Sequence, residues 1–232
     1  MISDTLGLRR FLAIDITQDY LMPGYKNISL NLNSRKQLKN QYYDNDEILI
    51  STIEGLCYGC GDVIIGLNMA CDETESVIRT EKLLHDIVER FKLPTRYSIL
   101  SDMFKQKHAS EHTKVDVGFQ SLSGTSKGLV GMLGCDIDEL EDMCNIFNGL
   151  YFETGQGSEV TNGVAEGVDM VTLESRCYGV ARYLKKKTGK WMIVNDVAGF
   201  IGPEVFTTGK QLKRACLEDT VMSKLHGIVM GL

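Results

Sequence analysis

Short runs rich in β-forming residues alternate along this chain with longer amphipathic stretches, and that alternation limits the possible folds more than any other feature. Asn27–Asn33 alternates apolar and polar residues at period two, and Val63–Leu67 is a continuous apolar run between Asp62 and Asn68. Further strands are predicted at Tyr97–Leu100, Val115–Phe119, Leu150–Phe152, Met192–Val197 and Ile228–Met230. Helical periodicity fills the gaps at Asp46–Leu56, Glu73–Phe91, Ile137–Phe147, Thr172–Tyr183 and Gly209–Leu225. In the clearest of these, Val77, Leu84, Ile87, Val88 and Phe91 share one face, with Asp72 placed as an N-cap and Pro94 as a stop. Such alternation predicts parallel βαβ units, and near-continuous apolar strands predict cover on both faces. No linker or low-complexity segment divides the sequence, so one domain is expected.

The chain has 232 residues, against roughly 250 for a typical (β/α)8 barrel, so a complete elaborated barrel is a tight fit. With 43% hydrophobic and 24% charged residues, its composition excludes a disordered or collagenous chain. Twenty-five basic against 31 acidic residues give a net charge of -6, which argues against phosphate neutralisation as the main role. Lys185, Lys186 and Lys187 read as a solvated turn rather than a nucleic-acid patch. No run reaches the eighteen or so apolar residues of a membrane span, and Met1–Asp4 does not open a secretory signal. The seven cysteines form no paired framework, which fits a reducing, cytoplasmic setting.

In open α/β sheets and barrels, reactive groups collect at the carboxyl ends of strands. Here those ends carry Arg35 and Gln37, then Asn68, Asp102, Gln120 and Ser121, Glu153, and Asn195 with Asp196 near Gly199 and Phe200. Convergent polar groups of this kind make a mouth for a small polar ligand, or else serve as loop and cap residues. Other motifs are weaker. Cys57-Tyr58-Gly59-Cys60 has the spacing of a redox pair or half a zinc site, but it closes a helix and has no second pair, which favours a structural role. His108-Ala109-Ser110-Glu111-His112 fits an inverted zinc-hydrolase pattern, yet Lys105, Lys107 and Lys114 favour a charged surface helix. The acidic run Asp136–Asp142 lacks calcium-loop spacing and suits the start of a helix. Gly124–Gly128 departs from the phosphate-loop pattern. Tyr151–Ser158 differs in kind, since it sets one carboxylate, Glu153, at the end of an apolar strand and follows it with two glycines.

Several blocks together resemble the large subunit of ethanolamine ammonia-lyase. They are Glu54–Leu56 with Gly61–Asn68, Phe119–Ser121 with Gly124 and Lys127-Gly128, Tyr151–Ser158, and Gly199–Glu204. Gly209–Gln211 and Leu217–Asp219, with Met222, Lys224, Leu225 and Gly227, continue the series, which runs over roughly residues 30–231 in the family's order. Residues 1–25 carry no resemblance, so the expected division is an N-terminal segment 1–25 and a catalytic domain 26–232.

The resemblance implies a (β/α)8 barrel, incomplete here, with strands one to six and the start of a seventh. It implies adenosylcobalamin as cofactor and a radical conversion of ethanolamine to acetaldehyde and ammonia. By the same likeness Arg35, Asn68 and Glu153 would hold the substrate hydroxyl, and Gln37 and Glu153 its ammonium. Glu153 and Arg35 would be catalytic, Phe200 an apolar wall, and Ser121 and Val197 neighbours of the adenosyl group. Implied partners are the small subunit, further copies in an oligomer, and a separate chain completing the barrel; the implied location is the cytoplasm or a bacterial microcompartment within it. The chain departs from the family in three places. It stops at Met230-Gly231-Leu232, before a Cys-Asp pair; it reads Ser101–Lys105 where the family has Ala-His-Val-Thr-Thr; and it inserts Lys185–Lys190. Two functions are therefore expected: part of a split or truncated lyase, or a non-catalytic module that keeps the fold without turnover.

Overall fold

The computed structural model describes residues 12–13, 45–57, 64–69, 73–163, 165, 167–197 and 206–231. They fall into two compact units divided between Val117 and Gly118. The strand predicted at Asn27–Asn33 lies outside the described residues.

The first unit holds a sheet ordered β1-β2-β3, from β1 (Leu12–Ala13), β2 (Ile64–Asn68) and β3 (Arg96–Leu100). All pairings are parallel, with Leu12 opposite Ile65 and Ile64 opposite Arg96. β1 lies in the segment for which sequence periodicity predicted no strand. Helix α1 (Asn45–Cys57) precedes β2, α2 (Thr74–Phe91) links β2 to β3, and α3 (Met103–Ser110) follows β3.

The expected apolar face of α2 is seen at Val77, Leu84 and Ile87, but Phe91 is 48% exposed in the last turn. The same face buries a carboxyl, Glu81. The N-cap position belongs to Glu73, whose side chain makes no capping bond, while Asp72 lies outside the described residues. The helix ends at Phe91, and its C-cap Lys92, two residues before Pro94, has a left-handed backbone (φ 50°) and an N–H that reaches the carbonyls of Glu89 and Val88.

The second unit holds a sheet ordered β4-β5-β6-β7: β4 (Val117–Ser121), β5 (Gly149–Thr154), β6 (Trp191–Asp196) and β7 (Val229–Gly231). β5, β6 and β7 pair in parallel. β4 and β5 run further toward their carboxyl ends than the apolar pattern predicts, whereas β6 ends at Asp196, one residue short of the predicted Val197. Polar Gln120, Ser121, Glu153 and Thr154 belong to strands because backbone pairing continues past the last apolar side chain.

The connecting helices are α4 (Ser126–Met132), α5 (Ile137–Cys144), α6 (Glu159–Asn162), α7 (Met170–Thr188) and α8 (Gly209–His226). The acidic run opens α5 as expected, with Asp136 and Glu139 forming a reciprocal capping box. Lys185, Lys186 and Lys187 are not a turn but the last turn of α7, where positive charge faces the carbonyl end of the helix dipole and Gly189 (φ 64°) terminates it. Leu173, Cys177, Tyr178, Ala181 and Leu184 of α7 pack fully buried in the core of this unit, as do Leu150, Phe152 and Val194 of the sheet. Among the described residues, no helix is long and apolar enough to cross a membrane.

At Gly118 in β4 an added Cβ would sit inside the ring of Phe147, which is itself 1% exposed. Gly118→Ala should therefore destabilise the fold by about 1–3 kcal/mol, because the buried ring has little room to retreat. A lowered urea midpoint with an unchanged m-value checks this.

Candidate functional site

The strands of the second unit end together. Leu122 N donates to the Glu153 carbonyl at 2.8 Å, which aligns the end of β4 with that of β5, and the Phe119 and Tyr151 rings meet edge to face at 5.1 Å. Between β5 and β6, Glu153 lies opposite Asn195 and Thr154 opposite Asp196. Because side chains alternate along a strand, the first pair faces one side of the sheet and the second pair the other.

On the first side, Ser121, Glu153, Asn195 and Val197 are half-buried at the strand ends, while Tyr151 and Ile193 before them are buried. Asn195 Nδ2 donates to Glu153 Oε1 at 3.5 Å. Burial raises the Glu153 carboxyl above its ordinary range, and the Asn195 bond partly offsets the rise. A half-buried carboxylate with spare acceptor sites suits a small cation with N–H donors, which it would meet with charge-assisted hydrogen bonds. Gly155 makes this end possible, since a Cβ there would collide with the Val197 carbonyl where Val197 N donates to the Thr154 carbonyl at 2.8 Å.

On the other side lies a buried acidic trio. Asp196 of β6, Glu174 of α7 and Asp219 of α8 are each no more than 1% exposed, and one oxygen from each lies within 4.8 Å of the others. Thr154 Oγ1 donates to Glu174 Oε2 at 2.8 Å, Tyr178 OH to Asp196 Oδ2 at 3.3 Å, and Gln156 Nε2 to Asp219 Oδ1 at 2.7 Å. Burial first, and then the charge of a neighbouring acid, pushes all three carboxyls up to about 8.

Sequence reasoning placed Asp196 at a strand end but missed Glu174 and Asp219 as members of a cluster. The available signal was position, for Asp219 falls at i+4 from buried Ala215 and i−3 from buried Met222, and Glu174 at i−3 from buried Cys177.

Of the other residues singled out from sequence, Asn68 ends β2 in the first unit, half-buried. Arg35, Gln37 and Phe200 lie outside the described residues. His108, Glu111 and His112 do gather, with His108 Nδ1 3.4 Å from Glu111 Oε2, but all three are exposed at the surface. Cys57 ends α1, and Tyr58–Cys60 lie outside the described residues. The Gly124–Gly128 loop is taken up by its own helix, since Thr125 Oγ1 accepts from Gly128 N at 2.9 Å and donates to the Gly163 carbonyl at 2.8 Å.

Parallel strands whose carboxyl ends gather a carboxylate, an amide and a hydroxyl place the chain in the α/β class that builds small-molecule sites at strand ends. Residues 21–232 match the family described as ethanolamine ammonia lyase large subunit (EutB), and the chain belongs to that family. It is 37% identical over 207 residues to the ethanolamine ammonia-lyase large subunit of Escherichia coli (strain K12), covering 85% of this chain and 45% of that protein. It is 38% identical over 197 residues to the large subunit of Salmonella typhimurium, covering 81% and 42%. The chain thus spans about half the length of these relatives.

The raised acids set a pH dependence with a definite sign. A folded carboxyl that titrates above its unfolded value binds more protons than the unfolded chain between about pH 4 and pH 8, so stability falls as pH rises through that window. Chelator-treated protein should melt at least about 5 °C higher at pH 5.5 than at pH 8.5, and Glu174→Gln should shrink that difference. Glu81 and Glu153, raised by burial, act in the same direction and leave a residue of the effect. Circular dichroism melts across this range check the sign.

Proposed function

We propose that this chain supplies the substrate-binding face of an adenosylcobalamin-dependent ethanolamine ammonia-lyase, with residues 26–232 forming part of a (β/α)8 barrel. Family membership across residues 21–232, with Glu153 half-buried at the end of β5, carries this reading. The parallel α/β pattern of both units is compatible with such a barrel. Because relatives are about twice as long, the working enzyme would combine this chain with a segment equivalent to the rest of the large subunit, and with a small subunit.

In this reading Glu153 accepts from both the ammonium and the hydroxyl of ethanolamine, with Gln37 beside the ammonium and Arg35 and Asn68 at the hydroxyl. A charged group at each end fixes so small a substrate in one orientation. Asn195 donates to the Glu153 carboxyl at the long distance of 3.5 Å. The residues at the strand ends fit the cofactor's adenosyl end in kind: Ser121 offers a half-buried hydroxyl suited to a ribose, and Val197 a half-buried aliphatic surface suited to a base. Phe200 would close the pocket with an apolar wall. When bound, adenosylcobalamin supplies the radical chemistry that the side chains of this chain cannot.

The test is acetaldehyde release from ethanolamine by the chain co-expressed with a small subunit and the missing large-subunit half, with adenosylcobalamin added. Glu153→Ala should lower turnover by at least about 100-fold, because it removes the group shared by both ends of the substrate. Turnover that survives this substitution overturns the role of Glu153. A fully assembled complex that binds ethanolamine without releasing acetaldehyde would instead identify a non-catalytic module.

A further inference from the structure

We propose that His108, Glu111 and His112 form a surface site for one divalent first-row transition metal ion of zinc type, bound by two imidazoles and one carboxylate. The lyase reading makes no use of these residues. Helix α3 begins just past the carboxyl end of β3, where Asp102 caps it, and the three residues lie at its other end.

The local fold brings the three side chains to one face. Met103, Gln106 and Ala109 are buried and anchor α3 along its inner stripe, which leaves His108 on the outer side. Helical hydrogen bonding persists beyond Ser110, since Glu111 N donates to the His108 carbonyl at 3.1 Å, and His112 N and Thr113 N both donate to that of Ala109 at 2.9 Å. The spacing i, i+3, i+4 is therefore kept, and residues so spaced are neighbours on a helix surface. The rings of His108 and His112 lie 5.1 Å apart, and one ligand atom from each of the three side chains falls within 4.8 Å of the others.

Separation and donor type select the ion. Zinc binds imidazole nitrogen at about 2.0–2.1 Å and carboxylate oxygen at about 2.0–2.2 Å, so two ligands of one tetrahedral ion stand about 3.3–3.5 Å apart. His108 Nδ1 and Glu111 Oε2 are 3.4 Å apart. A direct charge-assisted hydrogen bond would draw them to about 2.7–2.9 Å, so the pair is spaced for a shared ion rather than for each other. Calcium and magnesium prefer oxygen ligands, and a donor set with two imidazoles disfavours both. Lys105, one turn earlier on the helix, is drawn back to Asp102 at 3.0 Å. In the inverted zinc-hydrolase pattern the glutamate serves as general base toward bound water. Here Glu111 stands at ligand distance, and the trio keeps no second carboxylate for that role. The site thus binds metal without forming a hydrolytic centre, and it would tie Glu111 and His112 to the last turn of α3.

Zinc titration of the chelator-treated chain at about pH 7.5, where imidazole is neutral, tests the proposal through the histidine ring-proton resonances. The chain has four histidines, so the site can be read directly. One equivalent of zinc should shift the resonances of His108 and His112 and leave those of His85 and His226 in place. His112→Ala and Glu111→Gln are surface changes, and each should weaken zinc binding at least about tenfold, because losing even an outer partner of a metal ligand costs about 10–100-fold. Copper should bind more tightly than zinc, and excess calcium should displace neither. Alkylation of exposed Cys57 should leave binding intact.

Zinc that shifts neither His108 nor His112, or that binds either variant as tightly as the unaltered chain, overturns the site. Binding lost on alkylation of Cys57 would place the ion at that thiol and equally overturn the proposal.

Discussion

The in-register parallel pairing of β5 with β6 is the constraint on which the rest of the second unit depends. Setting Glu153 opposite Asn195 and Thr154 opposite Asp196 commits each pair of neighbours to opposite faces of one sheet. A slip of one residue would exchange the faces, sending Glu153 among the helices and Thr154 to the mouth. Leu150, Phe152, Met192 and Val194 are buried together on one face, and a one-residue slip of either strand would turn its pair off that face. Gly155 then lets Val197 continue the contact past the last strand residue.

The two faces treat carboxylates differently although the residues concerned stand on neighbouring strands, one residue apart in register. Glu153 is half-buried and meets an amide, so its pKa rises only under partial desolvation. Asp196 sits on the covered face against Glu174, and each charge makes the others harder to form. Glu81 in the first unit shows a third outcome. Both of its oxygens are buried with no hydrogen-bond partner, and burial drives its carboxyl strongly toward the neutral acid. A lone buried acid can resolve its desolvation with one proton. The trio resolves it collectively, since Asp196 hydrogen-bonds to both Glu174 and Asp219 and the three share protons.

Much of this organisation was legible in the sequence because period-two and period-3.6 patterns respond to burial, and burial decides where Val77, Leu84, Leu150 and Val194 go. The carboxyl limit of β5 was less legible, since Glu153 and Thr154 are paired by their backbones irrespective of side-chain polarity. Lys185–Lys187 misled for a related reason: charge marks exposure, and an exposed final turn of α7 looks the same as a loop. Phe91 misled in the opposite direction, because apolar periodicity continued into a last turn that stays half exposed, with the Arg90 guanidinium over the ring. The trio was invisible because its members are 22 and 23 residues apart in sequence and converge only once α7 and α8 pack on the sheet. What sequence did show was the anomaly of acids on buried helical faces.

Separation of the faces has a mechanistic consequence. A site for a substrate as small as ethanolamine needs its carboxylate held within a fraction of an ångström, and Asn195 meets Glu153 at a distance that leaves this pair easily displaced. The rigidity must then come from behind the sheet, where Thr154 and Asp196 continue the same two strands into hydrogen bonds with α7. Charge on the covered face and position on the open face are therefore coupled through two adjacent peptide units. Altering the trio changes how firmly the strand ends are held without removing any group from the mouth.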